Sequence, residues 1–278
     1  MSLQEKTSEP HFGIRIGAVS YLNTKPLIDG LESSLNNMDR LELDLPSHLA
    51  DRLSNRSLDV ALIPSIEFFQ DEEYVIVSDA CIACFGPVWS VKLLFRVPPR
   101  EVKTIAFDEG SRTSAALSKI LLYERFGIRP QPLPLPILSN PFEAEGDAIL
   151  VIGDRAMKPK LDGFTEEWDL GDEWAESTGL PFVFAMWVSK RGRCPIELEV
   201  KLGLARDRGL AEASLLAEKY ASDYGLTEEE CFRYFRHYLR FVMGPLEQQG
   251  LELFYKKAVS LGLAPANRDI SKFRMVTL

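Results

Sequence analysis

The sequence is poor in the side chains that mark most catalytic and metal centres. Its 278 residues include three histidines and four cysteines. His11 sits in a polar opening segment, His48 in the first turn of a helix and His237 in an aromatic-rich helix, far apart along the chain, and none is expected to be catalytic. Only Cys81 and Cys84 are close enough to suggest a motif, and no second pair or neighbouring histidine completes a zinc or redox site around them. They lie in a strand-like run and read as inert thiols that pack as small hydrophobes. So few cysteines exclude a disulfide scaffold, and free thiols fit a reducing compartment. The sequence also lacks a Gly-x-Ser-x-Gly nucleophile elbow, a phosphate loop ending in Gly-Lys-Ser, a His-Glu-x-x-His zinc helix and a dinucleotide fingerprint.

Other absences bear on partners. No stretch of about 18 apolar residues runs uninterrupted, so a membrane span is not expected. The opening from Met1 to Gly13 is polar and offers no export signal, which makes a cytoplasmic location the expectation. Charge is spread without any block of five like residues, and 41 acidic against 32 basic side chains leave a net charge of −9. That distribution has no footprint for nucleic acid or an anionic membrane surface. The expected partner is a small molecule held by local groups, on a monomer or a homodimer.

What is present is an ordinary globular composition, 46% apolar and 26% charged, at a length that suggests two units. Ile14 to Val19 reads as a buried strand, and Asn23-Thr24-Lys25-Pro26 as a helix start. Leu41 to Leu45 alternates like a half-exposed strand, Ser47 is placed to cap a helix running to about Ser54, and Leu58 to Ile63 is another buried strand. This β-α-β unit implies a parallel sheet. A strand-like stretch from Cys81 to Val97 ends at Pro98-Pro99, after which the pattern restarts with a strand at Thr104 to Phe107 and a helix from about Thr113 to Phe126. Pro130 to Pro141, with five prolines, must be extended, and Ala148 to Ile152 is a further buried strand. Phe182 to Val188 reads as the return crossing. The remainder is helical, with a capping box at Thr227 and Glu230 for a helix through Phe241, and a last helix after Gly244-Pro245. The expectation is an α/β protein of two lobes, residues 12–92 with 188–278 and residues 93–187, around a hinged cleft. Ligands of such sheets bind beyond the carboxyl ends of the strands.

The loops at those ends carry hydroxyls and amides. Asn23 and Thr24 follow the first strand, Ser65 follows the Leu58 to Ile63 strand, and Ser111, Arg112, Thr113 and Ser114 follow Phe107. Trp89 and Ser90 precede the first crossing, and Gly153 and Asp154 close the Ala148 to Ile152 strand. Taken singly, such residues at helix starts read as caps. Their recurrence at one edge points to an anion site built from hydroxyls, backbone N–H groups and positive helix ends. The aromatic cluster Phe232, Tyr234, Phe235, Tyr238 and Phe241 falls at helical spacing and reads as packing.

Several spaced motifs carry a family resemblance. They are Arg15-Ile16-Gly17-Ala18-Val19-Ser20-Tyr21-Leu22-Asn23-Thr24-Lys25-Pro26-Leu27, then Asp59 to Ser65 with Glu67, Gly86 to Val91, Ser111 to Ser114, Ile152-Gly153-Asp154, and Thr178 to Ala185. Across about residues 14 to 275 the chain resembles the chorismate dehydratases of the futalosine route to menaquinone. The resemblance implies a type II periplasmic-binding-protein-like fold and the removal of water from chorismate, without a cofactor or metal, to give 3-(1-carboxyvinyloxy)benzoate. It places Asn23 and Ser90 at the reacting centre. Ser65, Ser111, Thr113 and Ser114 would grip carboxylates, with Arg112, Thr24, Trp89, Gly153 and Asp154 completing the substrate site. No general base stands among these positions, so the substrate's own enolpyruvyl carboxylate is expected to take the C3 proton. Two alternatives share the fold: a non-catalytic solute-binding protein for a small carboxylate, and the 1,4-dihydroxy-6-naphthoate synthase of the same pathway, which lacks the Tyr-Leu-Asn opening.

Overall fold

Strands rich in branched apolar residues, buried on both faces, belong at the centre of a sheet covered by helices. The computed structural model, which describes residues 13–266 apart from 138, 160 and 161, together with 268, has two such sheets. The first part of the chain forms β1 (Arg15–Val19), α1 (Lys25–Ile28), α2 (Leu31–Ser34), β2 (Arg40–Asp44), α3 (Pro46–Ser54), β3 (Val60–Pro64), α4 (Ser65–Phe68) and β4 (Tyr74–Cys84). There follow β5 (Val91–Phe95), β6 (Thr104–Asp108), α5 (Arg112–Phe126), β7 (Gln131–Leu135), β8 (Ala148–Ile152), β9 (Glu166–Asp169) and α6 (Leu170–Thr178). The chain ends with β10 (Phe182–Lys190), α7 (Ile196–Ala211), α8 (Ala213–Tyr220), α9 (Glu228–Arg233), a π-helical turn at Tyr234–Tyr238, β11 (Arg240–Val242) and α10 (Pro245–Ser260).

The first sheet has the order β11-β4-β10-β3-β1-β2 and the second β7-β6-β8-β5-β9. The parallel β-α-β unit expected from sequence is there, since β1 pairs in parallel with both β2 and β3. The second sheet repeats it with β6 parallel to β7 and β8. Each sheet also takes antiparallel strands, β10 between β3 and β4 in the first, and β5 between β8 and β9 in the second. β3 and β8 are buried along their whole length, as their unbroken apolar runs require. The prolines of β7 are accommodated because that strand lies at an edge, where missing N–H donors leave no ladder bond unmade.

Four expectations need correction. The stretch from Cys81 to Val97 is two strands in different sheets, split by a turn in which Gly86 and Trp89 adopt positive φ (93° and 66°). Phe182 to Val188 is a strand of the first sheet, with Phe182 already opposite Cys84, so the return crossing precedes it. The helix expected to run through Phe241 ends at Tyr238, and Phe241 is a buried residue of β11 at the sheet edge. Ser47 does not cap α3, whose N-cap is Leu45. The capping box was legible: Thr227 Oγ1 accepts from Glu230 N (3.1 Å) and Glu230 Oε2 from Thr227 N (2.8 Å). Cys81 and Cys84 are fully buried, and burial raises both thiol pKa values, as inert core cysteines require.

Candidate active site

A cleft opens between the sheets, where the carboxyl ends of β1, β3 and β8 meet the start of α5. Seven residues expected from sequence border it: Asn23, Ser90, Ser111, Arg112, Thr113, Ser114 and Gly153. Its other walls are largely apolar, among them Val19, Ile82, Val88, Ile152 and Phe184.

Local bonding explains how these side chains arrive together. Asp169, at the N-cap of α6, receives Val88 N (2.9 Å) and Trp89 N (2.6 Å) as well as Gly171 N (3.0 Å) and Asp172 N (3.3 Å). Its carboxylate fixes the left-handed Trp89 turn, a conformation that costs a bulky residue on the order of 1 kcal/mol or more. Ser90 follows that turn directly, and its carbonyl accepts from Gly153 N (2.9 Å), tying β5 to the end of β8. On the other wall, the buried Asp108 carboxylate holds Gly110 N (3.1 Å) and the Arg155 guanidinium (2.5 Å). The resulting turn places Ser111 at the N-cap of the 15-residue helix α5.

Ser111 makes no capping bond, and its buried Oγ has no partner among the described residues. The first N–H groups of a helix also have no intrahelical acceptor. The start of α5 is therefore a set of oriented donors facing the cleft, strengthened by the positive helix end.

The remaining expected residues do not border the cleft. Ser65 Oγ is buried and donates to Val183 O (2.7 Å), with Thr113 Oγ1 at 3.4 Å. Thr24 is fully buried and donates to Asn23 Oδ1 (3.3 Å), so it orients the amide from behind. The Trp89 ring packs edge-on against Tyr234 (centroids 5.7 Å apart) and stacks on Tyr238 (5.6 Å). Asp154 accepts Leu22 N (3.1 Å). Burial raises its carboxyl pKa to about 6, against the pull of that amide and of Lys25.

Arg112 borders the cleft with its charge already matched. Its two terminal nitrogens meet both Asp51 oxygens at 2.8 Å, and Glu67 lies 3.3 Å away. Burial raises the Glu67 pKa in spite of this guanidinium.

Two tyrosines belong to the site although the sequence did not mark them as functional. The Tyr21 ring crosses the cleft onto Gly153, where a Cβ would sit 3.1 Å from it, and its buried hydroxyl has no partner among the described residues. Burial and the nearby Asp108 raise its pKa, so it remains a neutral donor. Tyr21 lies in the opening motif, and its orphan hydroxyl becomes visible only in the fold. Tyr234 donates to Ser90 Oγ (2.7 Å). In the aromatic cluster, Phe235 and Phe241 are packing residues as expected, whereas the Tyr234 phenol reaches the site.

The cleft thus offers neutral, oriented donors in an apolar surround. Such an arrangement suits developing negative charge on a bound carboxylate better than it suits removal of a proton by an ionised side chain. Among the described residues no cluster of three or more His, Cys, Asp or Glu is placed to hold a metal ion. No helix among them is long and apolar enough to cross a membrane.

A sequence profile for the family described as menaquinone biosynthesis matches residues 14–260. A chorismate dehydratase of Thermus thermophilus is 29% identical over 247 residues, covering 80% of this chain and 87% of the relative. Among solved structures, protein AF1704 of Archaeoglobus fulgidus superimposes with a TM-score of 0.73 at 19% identity, covering 92% of this chain and all of that one. The alkanesulfonate-binding protein SsuA of Xanthomonas axonopodis pv. citri, bound to MOPS, gives 0.68 at 15% identity, over 96% and 99% of the two chains. These two establish the expected periplasmic-binding-protein-like fold.

Proposed function

The chain belongs to the menaquinone biosynthesis family, and from that premise we propose that it is a chorismate dehydratase, a lyase that converts chorismate to 3-(1-carboxyvinyloxy)benzoate and water. The observation that carries this reading is the cleft itself, which Asn23 and Ser90 line together with the start of α5 and Ser111, whose buried hydroxyl has no partner among the described residues. The substrate is a dicarboxylate whose reaction needs charge stabilisation and a fixed geometry more than it needs a strong protein base.

In the reaction the C3–H bond breaks and its electron pair is delocalised through the ring diene onto the C1 carboxylate. The C4–O bond then breaks, the hydroxyl leaves as water with the proton lost from C3, and the ring becomes aromatic. Ser111, Thr113, Ser114 and the α5 N-terminus hold the carboxylate on which charge accumulates. Asn23 and Ser90 polarise the departing hydroxyl. The enolpyruvyl carboxylate takes the C3 proton, a role made efficient by its enforced proximity. Each donor aimed at developing charge contributes on the order of 3 kcal/mol in a water-excluded site. Tyr21 serves as a further neutral donor over the cleft, and Arg112 acts through its ion pairs in place of binding an anion directly.

The sheets act as two lobes that close over the substrate about the crossings between β4 and β5 and between α6 and β10. The enzyme works in the cytoplasm as a monomer or homodimer and requires no cofactor. Incubation of the purified protein with chorismate alone tests the reading. A product lighter by one water that retains the enolpyruvyl group is expected. Chorismate that remains intact while protecting the protein against thermal unfolding would leave a binding protein and remove the enzyme.

A further inference from the structure

Ser90 can polarise a leaving group only if its own proton points into the cleft, and a serine hydroxyl rotates freely unless a neighbour fixes it. Its surroundings leave few choices. Ser90 is 1% exposed, its Oγ accepts from the Tyr234 phenol at 2.7 Å, and Val88 O, the protein acceptor within reach of its own proton, is 3.5 Å away, at the limit of a hydrogen bond.

We propose that Tyr234 is a positioning residue which, by donating to Ser90 Oγ, commits the Ser90 proton to the cleft and so makes this serine a directed donor. The inference rests on the dehydratase reading of the site. Three further observations carry it. Tyr234 is fully buried and does not border the cleft, so the hydroxyl acts on the substrate through Ser90. The Asn23 side chain also acts on this phenol, lowering its pKa against the effect of burial, while Asn23 Oδ1 accepts from Thr24 (3.3 Å). Tyr234 thus bonds one of the residues assigned to the reacting centre and is influenced by the other.

The third observation is the backbone. Tyr234 opens the π-helical turn Tyr234–Tyr238, an irregularity that recurs at functional sites because it re-aims side chains that a regular α-helix would direct elsewhere. Upstream, the capping box at Thr227 and Glu230 anchors α9, and downstream Leu239 N bonds Tyr234 O (3.2 Å) as the chain passes into β11. On the ring itself, Trp89 packs edge-on at 5.7 Å. Two independent restraints therefore meet at Ser90, with Asp169 holding its backbone turn and Tyr234 holding its hydroxyl.

The test is a double-mutant cycle in the full-length protein with chorismate as substrate. Tyr234→Phe removes one oxygen from a packed ring and is expected to lower kcat by about tenfold with KM within about twofold of wild type and an unchanged unfolding midpoint. In a Ser90→Ala background the same substitution is expected to change kcat less than twofold, because the group through which it acts is gone. Incorporation of 3-fluorotyrosine at position 234, which keeps the donor and makes the phenol more acidic, is expected to leave folding intact and to change kcat measurably, a change that a packing role would not produce. A Tyr234→Phe variant with wild-type kcat overturns the proposal, as does an equal loss with and without Ser90, which marks a packing role. If Tyr234→Phe does not fold, the fluorinated protein decides: turnover must then follow the acidity of the phenol, and indifference to it refutes the proposal. Wild-type protein that leaves chorismate unchanged overturns the dehydratase reading itself, an outcome read before any variant is compared.

Discussion

Asp154 Oδ1 accepts the backbone N–H of Leu22 at 3.1 Å, linking two residues 132 positions apart. The bond joins the turn after β8 of the second sheet to the turn after β1 of the first, and the latter carries Asn23. A half-buried carboxylate with a single backbone amide is poorly compensated for its lost water, which is why its pKa rises from an ordinary 3.8 to about 6.

A raised carboxyl pKa means that the folded protein holds a proton which the unfolded chain has already released. Stability from this group is complete below the unfolded value near 3.8 and is lost as pH rises through about 6. Asp154→Asn still accepts from Leu22 and avoids the cost of ionisation. Its advantage in urea unfolding should open between about pH 4 and 6 and stay level above, at no more than ~3 kcal/mol. Parallel curves for the two proteins would contradict the assignment.

The same residue gives a kinetic test of the proton acceptor. Because the Asp154 carboxylate does not border the cleft, the pH profile of the chemical step should show no inflection that disappears in Asp154→Asn. Single-turnover rates from pH 5 to 8 measure it. Loss of an inflection near neutrality on mutating Asp154 or Glu67 would transfer the base role from the substrate to the protein.

Asn23→Ala and Ser90→Ala should each reduce turnover by about a hundredfold or more, the usual cost of one oriented donor, with folding intact by circular dichroism. Near-wild-type rates in both would remove these residues from the reacting centre.

Arg112 on α5 and Asp51 on α3 form a two-point ion pair from opposite sides of the cleft. Both side chains are partly exposed, so Asp51→Asn should cost global stability less than ~1 kcal/mol. Its effect should fall on closure: KM for chorismate should rise about threefold, and the salt dependence of wild-type KM should weaken. Equal salt dependence in both proteins would show that the pair does not contribute to closure.

Gly153 has a φ of 68° and lies under the Tyr21 ring, with only 3.1 Å available to a Cβ. Gly153→Ala should destabilise the protein by about 1–2 kcal/mol and weaken substrate binding, because strain and the ring displacement act at one place. Isothermal titration with an unreactive chorismate analogue and thermal unfolding measure the two effects.

Features set by neighbours in the sequence were legible. The unbroken apolar runs announced β1, β3 and β8, and Thr227 with Glu230 marked the start of α9. Asn23, Gly153 and the Ser111 to Ser114 group could be found because each follows a strand at the same edge. What stayed hidden depends on distant partners. Ser65 resembles Ser111 as a helix-start serine, yet its hydroxyl is taken by Val183, 118 positions away. Tyr234 shares helical spacing with packing aromatics, and only the π-turn and a partner 144 positions away distinguish it. The sheet membership of β10 was equally hidden, because a strand buried on both faces looks the same whether it crosses between sheets or completes one.

That membership has a consequence for the order of assembly. β10 is an interior strand of the first sheet, lying between β3 and β4, yet it is made only after the entire second sheet. All strands of the second sheet lie between Val91 and Asp169, so on the ribosome it is fully synthesised while the first sheet still has an open seam beside β3 and β4. The later-numbered sheet is the one able to form first during synthesis, and the N-terminal strands must wait as unpaired edges until residues 182–190 emerge to close them.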